Sequence, residues 1–107
     1  MAEIMFGNPD PILKKIQTGL APYERDYPQA KVDLYRRNSV SVRIRIIDPS
    51  FAGLSKIERS RRIWDYLRAI PERAQSDITV LLLLTPDEAE SSLANLDFEQ
   101  PLPSSLL

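Results

Sequence analysis

The chain has 107 residues, with no cysteine, no histidine, 14 basic against 15 acidic side chains and 43% hydrophobic content, which is the composition of one small globular domain. The absence of cysteine excludes a disulfide framework, thiolate catalysis and thiolate-ligated metal or iron–sulfur sites supplied by this chain alone. The absence of histidine removes the usual general base, the triads built on it and the commonest metal ligand.

Met1-Ala2-Glu3-Ile4 carries an acid where a secretory signal would carry bases. The most apolar run, Ile78–Leu84, is about seven residues, far short of the roughly 20 that cross a bilayer, so it reads as a buried strand. A cytoplasmic protein without membrane contact is the expectation. The small net charge hides an asymmetry: residues 31–73 hold eleven bases against five acids, whereas residues from 74 onward hold six acids and no base. The acidic end can therefore shield the basic middle from polyanions.

Asp10 caps a helix with Pro11 at its first position, and Ile12, Leu13, Ile16 and Leu20 form its apolar stripe. Gly19 and Pro22 weaken its end, and Pro28 stops it. Residues 31–37 and 40–47 alternate as two strands, joined across Asn38-Ser39, with Val40, Val42, Ile44 and Ile46 on one face. The opposite face carries Ser41, Arg43 and Arg45, joined on the first strand by Lys31, Tyr35 and Arg37, and reads as solvated or as a binding surface.

Asp48-Pro49 ends the second strand, and Gly53 permits a sharp turn in the loop that follows. Ser55 and Glu58 have capping-box spacing and open a helix that Pro71 closes. Its expected buried stripe is Ile57, Ser60, Ile63, Trp64, Leu67 and Ile70, with Glu58, Arg59, Arg62 and Asp65 on the wet side. The strand Ile78–Leu84, apolar on both faces, is expected in the centre of the sheet. Thr85-Pro86-Asp87-Glu88 then starts a short helix reaching about Ala94. The expected fold is α+β, in the order α-β-β-α-β-α, with a three-stranded mixed sheet and helices on one face. Residues 1–9 read as a flexible N-terminus, 10–94 as the single domain, and 95–107 as a flexible acidic, Pro/Ser-containing tail.

The run Phe51-Ala52-Gly53-Leu54-Ser55-Lys56-Ile57-Glu58-Arg59-Ser60-Arg61-Arg62-Ile63-Trp64 resembles the signature of the BolA-like family, approximately F-x-G-K-S-x-V-x-R-H-R-x-V-Y. Phe51, Gly53, Ser55, Arg59 and Arg61 fall in register, Ile57 and Ile63 replace valines, and Trp64 holds the aromatic position. The strand ending in Thr85-Pro86-Asp87-Glu88 is similar to the family's strand followed by T-P-E-E. The resemblance covers roughly residues 10–94 and implies the BolA fold, which is itself like the type II KH domain. It also implies a monothiol glutaredoxin as the class of partner, with an iron–sulfur cluster shared through the histidine of the R-H-R triplet.

Ser60 stands in that histidine's place, and only Asn38 and Ser39 occupy the loop where the family has a second histidine or cysteine. A serine hydroxyl is a poor iron ligand beside thiolate or imidazole, so no cofactor and no metal ligand are expected. The expectation is a noncatalytic interaction or regulatory module, monomeric or weakly dimeric, docking a glutaredoxin or another protein. Its expected contact surface is Phe51, Gly53, Ser55, Arg59, Arg61 and Arg62. The alternative is weak nucleic-acid binding through Tyr35, Arg37, Arg43 and Arg45, for which the G-x-x-G loop of KH domains is missing. For each arginine group, solvation of a helix or sheet face stands as the competing reading. No serine or carboxylate pair has a spacing that activates one group by the other, so catalysis is not expected.

Overall fold

The computed structural model describes residues 1–101. Asp10 accepts a hydrogen bond from the Leu13 amide at 2.9 Å and starts α1 (Pro11–Asp26), which buries Leu13, Ile16, Leu20 and Tyr23. Pro22 lies inside this helix, which continues for another turn to Asp26 before Pro28. The lost backbone hydrogen bond is offset by burial of Tyr23, whose ring stacks on Tyr27 at 4.6 Å. Gly19 lets α1 approach its neighbour: a Cβ there would sit 2.2 Å from Ile70 Cγ2.

The hairpin pairs β2 (Lys31–Asn38) antiparallel with β3 (Ser41–Ile47), and Ser39 and Val40 make the turn. Val40 was expected to begin the second strand; it is 67% exposed, and Asn38 Oδ1 instead accepts the Val40 amide at 3.0 Å. Asp48 caps a 3-10 turn, Pro49–Phe51, before α2 (Lys56–Leu67). The parallel pairing of β3 with β4 (Ile78–Leu84) requires a crossover, which α2 and α3 (Glu72–Asp77) provide. The six-residue α3 carries one buried apolar side chain, Ala74, and so leaves no helical periodicity in the sequence.

Val32, Leu34, Val42, Ile44 and Ile46 face the core side chains of α1 and α2. Three further features depart from expectation. The sheet has four strands, in the order β1-β2-β3-β4, because Glu3–Ile4 adds β1 parallel to β2; a strand of two residues is too short to show alternation. This amino-terminal segment is also tied down by Gln17, whose amide donates to the Ala2 carbonyl at 2.6 Å. Next, β4 lies at the edge, not in the centre. None of its residues is fully buried, so being apolar on both faces here goes with an edge position and says nothing about how many edges are paired.

The third departure concerns the C-terminal segment. The helix begun at Thr85 is α4 (Pro86–Ser91), and it breaks at Ser92, whose hydroxyl caps α5 (Leu93–Glu99). The segment expected as a loose tail from residue 95 is thus helical through Glu99, and it covers the sheet face expected to be open. The remainder of that tail, 102–107, lies outside the described residues. Among the described residues, no helix is long and apolar enough to cross a membrane.

Candidate partner-docking site

The loop before α2 is held by local contacts. Asp48 Oδ1 accepts the Ser50 amide at 2.8 Å, and its other oxygen accepts the buried Tyr23 hydroxyl. Burial and the Asp48 carboxylate together push the Tyr23 phenol well above its ordinary pKa. Phe51 is fully buried, so it anchors the loop and offers no contact surface. Gly53, at φ +80°, takes the left-handed conformation that the turn needs. Ser55 is exposed and completes the capping box: its hydroxyl accepts the Glu58 amide at 3.1 Å while Glu58 accepts the Ser55 amide at 3.2 Å. The Ser55 amide and hydroxyl beside it hold the Glu58 carboxyl below its usual range, with help from the charge of Arg61.

The three arginines expected to share one wet helix face have separate fates. Arg59 is only 7% exposed. Its Nε donates to the Leu54 carbonyl at 3.1 Å, and Nη1 donates to the Leu83 carbonyl at 3.1 Å. Two further donations, at 2.6 and 3.0 Å, meet the Glu88 carboxylate. Arg59 is therefore a tie between α2, β4 and α4, because it lies one turn above Ile63 and two above Leu67 on the buried stripe. Arg62 is half-buried, lies 4.6 Å over the Tyr27 ring and donates to Ser50 Oγ at 2.7 Å. Arg61 alone of the three is exposed, and among the described residues it forms no ion pair. Beside it stand exposed Lys56 and Ile57; the latter, expected in the core, is 66% exposed.

Along the other flank of α2 runs a groove of about 270 Å³, lined by Lys56, Arg59, Ser60, Leu81, Leu82, Leu83, Leu84, Ser92 and Ala94. It follows the free edge of β4. Ser60 lines it toward the Leu84 end, whereas the hairpin turn lies at the other end of β4, where Ser41 hydrogen-bonds Thr79. The two places where the resemblance would put cluster ligands are thus toward opposite ends of a strand, and hold only hydroxyl and amide groups. These residues do not fit an iron–sulfur cluster. Among the described residues, no group of three or more carboxylates is placed to hold a metal ion.

Three of the four residues expected to form a nucleic-acid surface, Tyr35, Arg43 and Arg45, lie beneath α5. Tyr35 is buried and donates its hydroxyl to the Phe98 carbonyl at 2.8 Å. Arg43 donates to that hydroxyl at 3.2 Å and to Asp97 at 3.1 Å. Arg45 is buried between Asp33 at 2.7 Å and Glu99 at 2.6 Å, with Asn95 at 2.8 Å, and its guanidinium lies 4.9 Å over the Phe98 ring. Arg37 is half-buried on β2, the strand that carries Tyr35. The open-face reading is corrected: a helix beyond the expected domain boundary supplies both the apolar cover, Phe98, and the acids.

The charge asymmetry resolves in the same way. Asp77 pairs with Arg36, Glu88 with Arg59, Asp97 with Arg43 and Glu99 with Arg45. Four acids of the acidic end thus pair with four arginines of the basic middle within one molecule. Sequence reasoning missed Glu88, Asn95 and Phe98 as partners; the base-free acidic run was the one signal that pointed to them.

No protein-family model matches the chain, and no curated protein matches it. Among solved structures, the BolA domain of SufE1 from Arabidopsis thaliana is similar over 76% of this chain and 99% of that domain, with a TM-score of 0.54 and 19% identity. The chain has a BolA-like α+β fold.

Proposed function

We propose that this BolA-like module is a noncatalytic interaction protein that docks a protein partner without contributing a cluster ligand. The contact surface is the exposed face formed by Gly53, Ser55, Lys56, Ile57 and Arg61. The observation that carries this reading is the contrast within the basic segment. Arg36, Arg43, Arg45 and Arg59 are taken by carboxylates and Arg62 by aromatic rings and Ser50, while Arg61 and Lys56 stand exposed around a large exposed isoleucine. An apolar centre with a charged rim is the anatomy of a protein contact. The fold resemblance supports a monothiol glutaredoxin as the class of partner, and Ser60 supports docking in which the cluster keeps its own ligands.

The test is capture of the purified chain by a monothiol glutaredoxin, in apo and cluster-loaded forms. Capture that is lost in Arg61→Glu and Ile57→Ser, with an unchanged cluster absorption spectrum, is the expected result. A distinct mixed-cluster spectrum would overturn ligand-free docking, and equal capture by both variants would overturn the surface. A nucleic-acid role has less support, since Tyr35 and Arg45 are inaccessible beneath α5.

A further inference from the structure

Tyr23 meets Tyr66 with ring centroids 5.2 Å apart, and Gly19 faces Ile70 just past the end of α2, so α1 and α2 run in opposite directions. Between them lies a second groove. It encloses about 800 Å³, within the range that takes a small-molecule ligand. Its walls are mostly apolar or small: Gly19, Pro22, Ala69, Pro71 and the Tyr66 ring stand around Ile70. The Tyr66 hydroxyl is turned to Asp26 at 2.5 Å, which leaves the ring as the wall. Charges are sorted by end. Lys14 and Lys15, one turn before Thr18 and Gly19, line the end near Pro71, whereas the lining carboxylate of Asp65 is beside Tyr66 at the other end, paired with Arg68 at 3.1 Å. Both lysines are exposed, and among the described residues neither forms an ion pair.

We propose that this groove binds an amphiphilic carboxylate, with its head held by Lys14 and Lys15 and its aliphatic body lying along Gly19, Ala69 and Ile70 toward Tyr66. Three observations favour this occupant. An apolar floor accepts a saturated chain without stranding a polar group, since the Tyr66 hydroxyl already has its partner in Asp26. Two unpaired ammonium groups at one end attract an anionic head, and the pairing of Asp65 with Arg68 offsets the opposing charge at the other. Charge complementarity therefore selects an anion over a cation of the same shape. Length fits as well: the stretch of α1 from Lys15 to Pro22 spans roughly 10 Å at the helical rise, comparable with the extended chain of decanoate.

The groove is tested without any glutaredoxin, so its failure is separate from failure of the docking reading. In an amide NMR titration of isotope-labelled protein, decanoate below its micelle-forming concentration should move Thr18, Gly19, Ala69 and Ile70 saturably, with a Kd of about 1 mM or below. Acetate, which lacks the chain, and decyltrimethylammonium, which reverses the head charge, should leave these amides unmoved at the same concentrations. The double variant Lys14→Glu with Lys15→Glu should bind decanoate about tenfold more weakly and keep its fold, because both side chains are exposed. Equal binding of the cationic amphiphile, or of decanoate by the double variant, would overturn the proposal. So would shifts spread over other exposed apolar residues such as Leu93 and Leu96. Groove shifts produced by raising the protein concentration alone would seat a second copy there and overturn it too.

Discussion

Arg59 and Glu88 meet through two parallel hydrogen bonds, Nη1 to Oε1 at 2.6 Å and Nη2 to Oε2 at 3.0 Å, and so join α2 to α4 across the C-terminal end of β4. The guanidinium holds the Glu88 carboxyl down at about 2, aided by the Thr85 amide that the same carboxylate accepts. A carboxyl with a depressed folded-state pKa contributes stability that is present above its unfolded value of about 4.5 and lost as pH falls through about 2. Acid titration of the unfolding free energy should show wild-type protein losing its advantage over Glu88→Gln within that window. At pH 7 the difference should be about 1 kcal/mol, since the carboxylate is 45% exposed and screened by water.

Charge reversal should separate the neighbouring arginines. Arg59→Glu places a second carboxylate against Glu88 and removes the donors to Leu54 and Leu83, so it should cost about 3 kcal/mol in denaturant unfolding. Arg61→Glu, at an exposed position, should change stability by no more than about 0.5 kcal/mol and lower only partner capture. Similar destabilisation in both variants would contradict the different environments of the two side chains.

Gly19→Ala should destabilise the fold by about 1–3 kcal/mol even though alanine is the better helix former, because the new methyl overlaps Ile70 Cγ2. Adding Ile70→Ala should recover part of that loss. Urea midpoints of the two single variants and the double variant measure this non-additivity.

Arg45 and Asp33 form a buried pair on the sheet face under α5. Asp33→Leu leaves the guanidinium with Glu99 and Asn95 only, and should cost about 3 kcal/mol. The double variant Asp33→Leu with Arg45→Met removes both charges, and should be more stable than Asp33→Leu alone. Thermal unfolding of the set checks the order.

The elements that could be read directly are those specified by neighbours in the chain. Asp10, Ser55 and Thr85 announce helix starts because a capping hydroxyl or carboxylate reaches an amide three residues away. Alternation along the hairpin shows which residues face the core, and the parallel partner of the second strand follows from the helix between them. The loop motif from Phe51 to Ser55 likewise reflects local needs: an apolar anchor, a left-handed glycine and a cap.

Tertiary structure alone decided which charges were available. Arg59 reads as a solvated residue until Glu88, 29 positions away, arrives beside it, and Arg45 until Glu99 arrives from 54 positions away. An ion pair leaves no period in the sequence, because each partner is also at home in water. Hydrophobic patterning, in turn, recorded that β4 is apolar on both faces without recording what packs against it. One face meets the helical layer of α2 and α3, α4 also packs against the strand, and Arg59 of α2 reaches its outer edge at the Leu83 carbonyl. Coverage is a property of each side chain and is written locally; the identity of the cover depends on where distant segments of the chain come to rest.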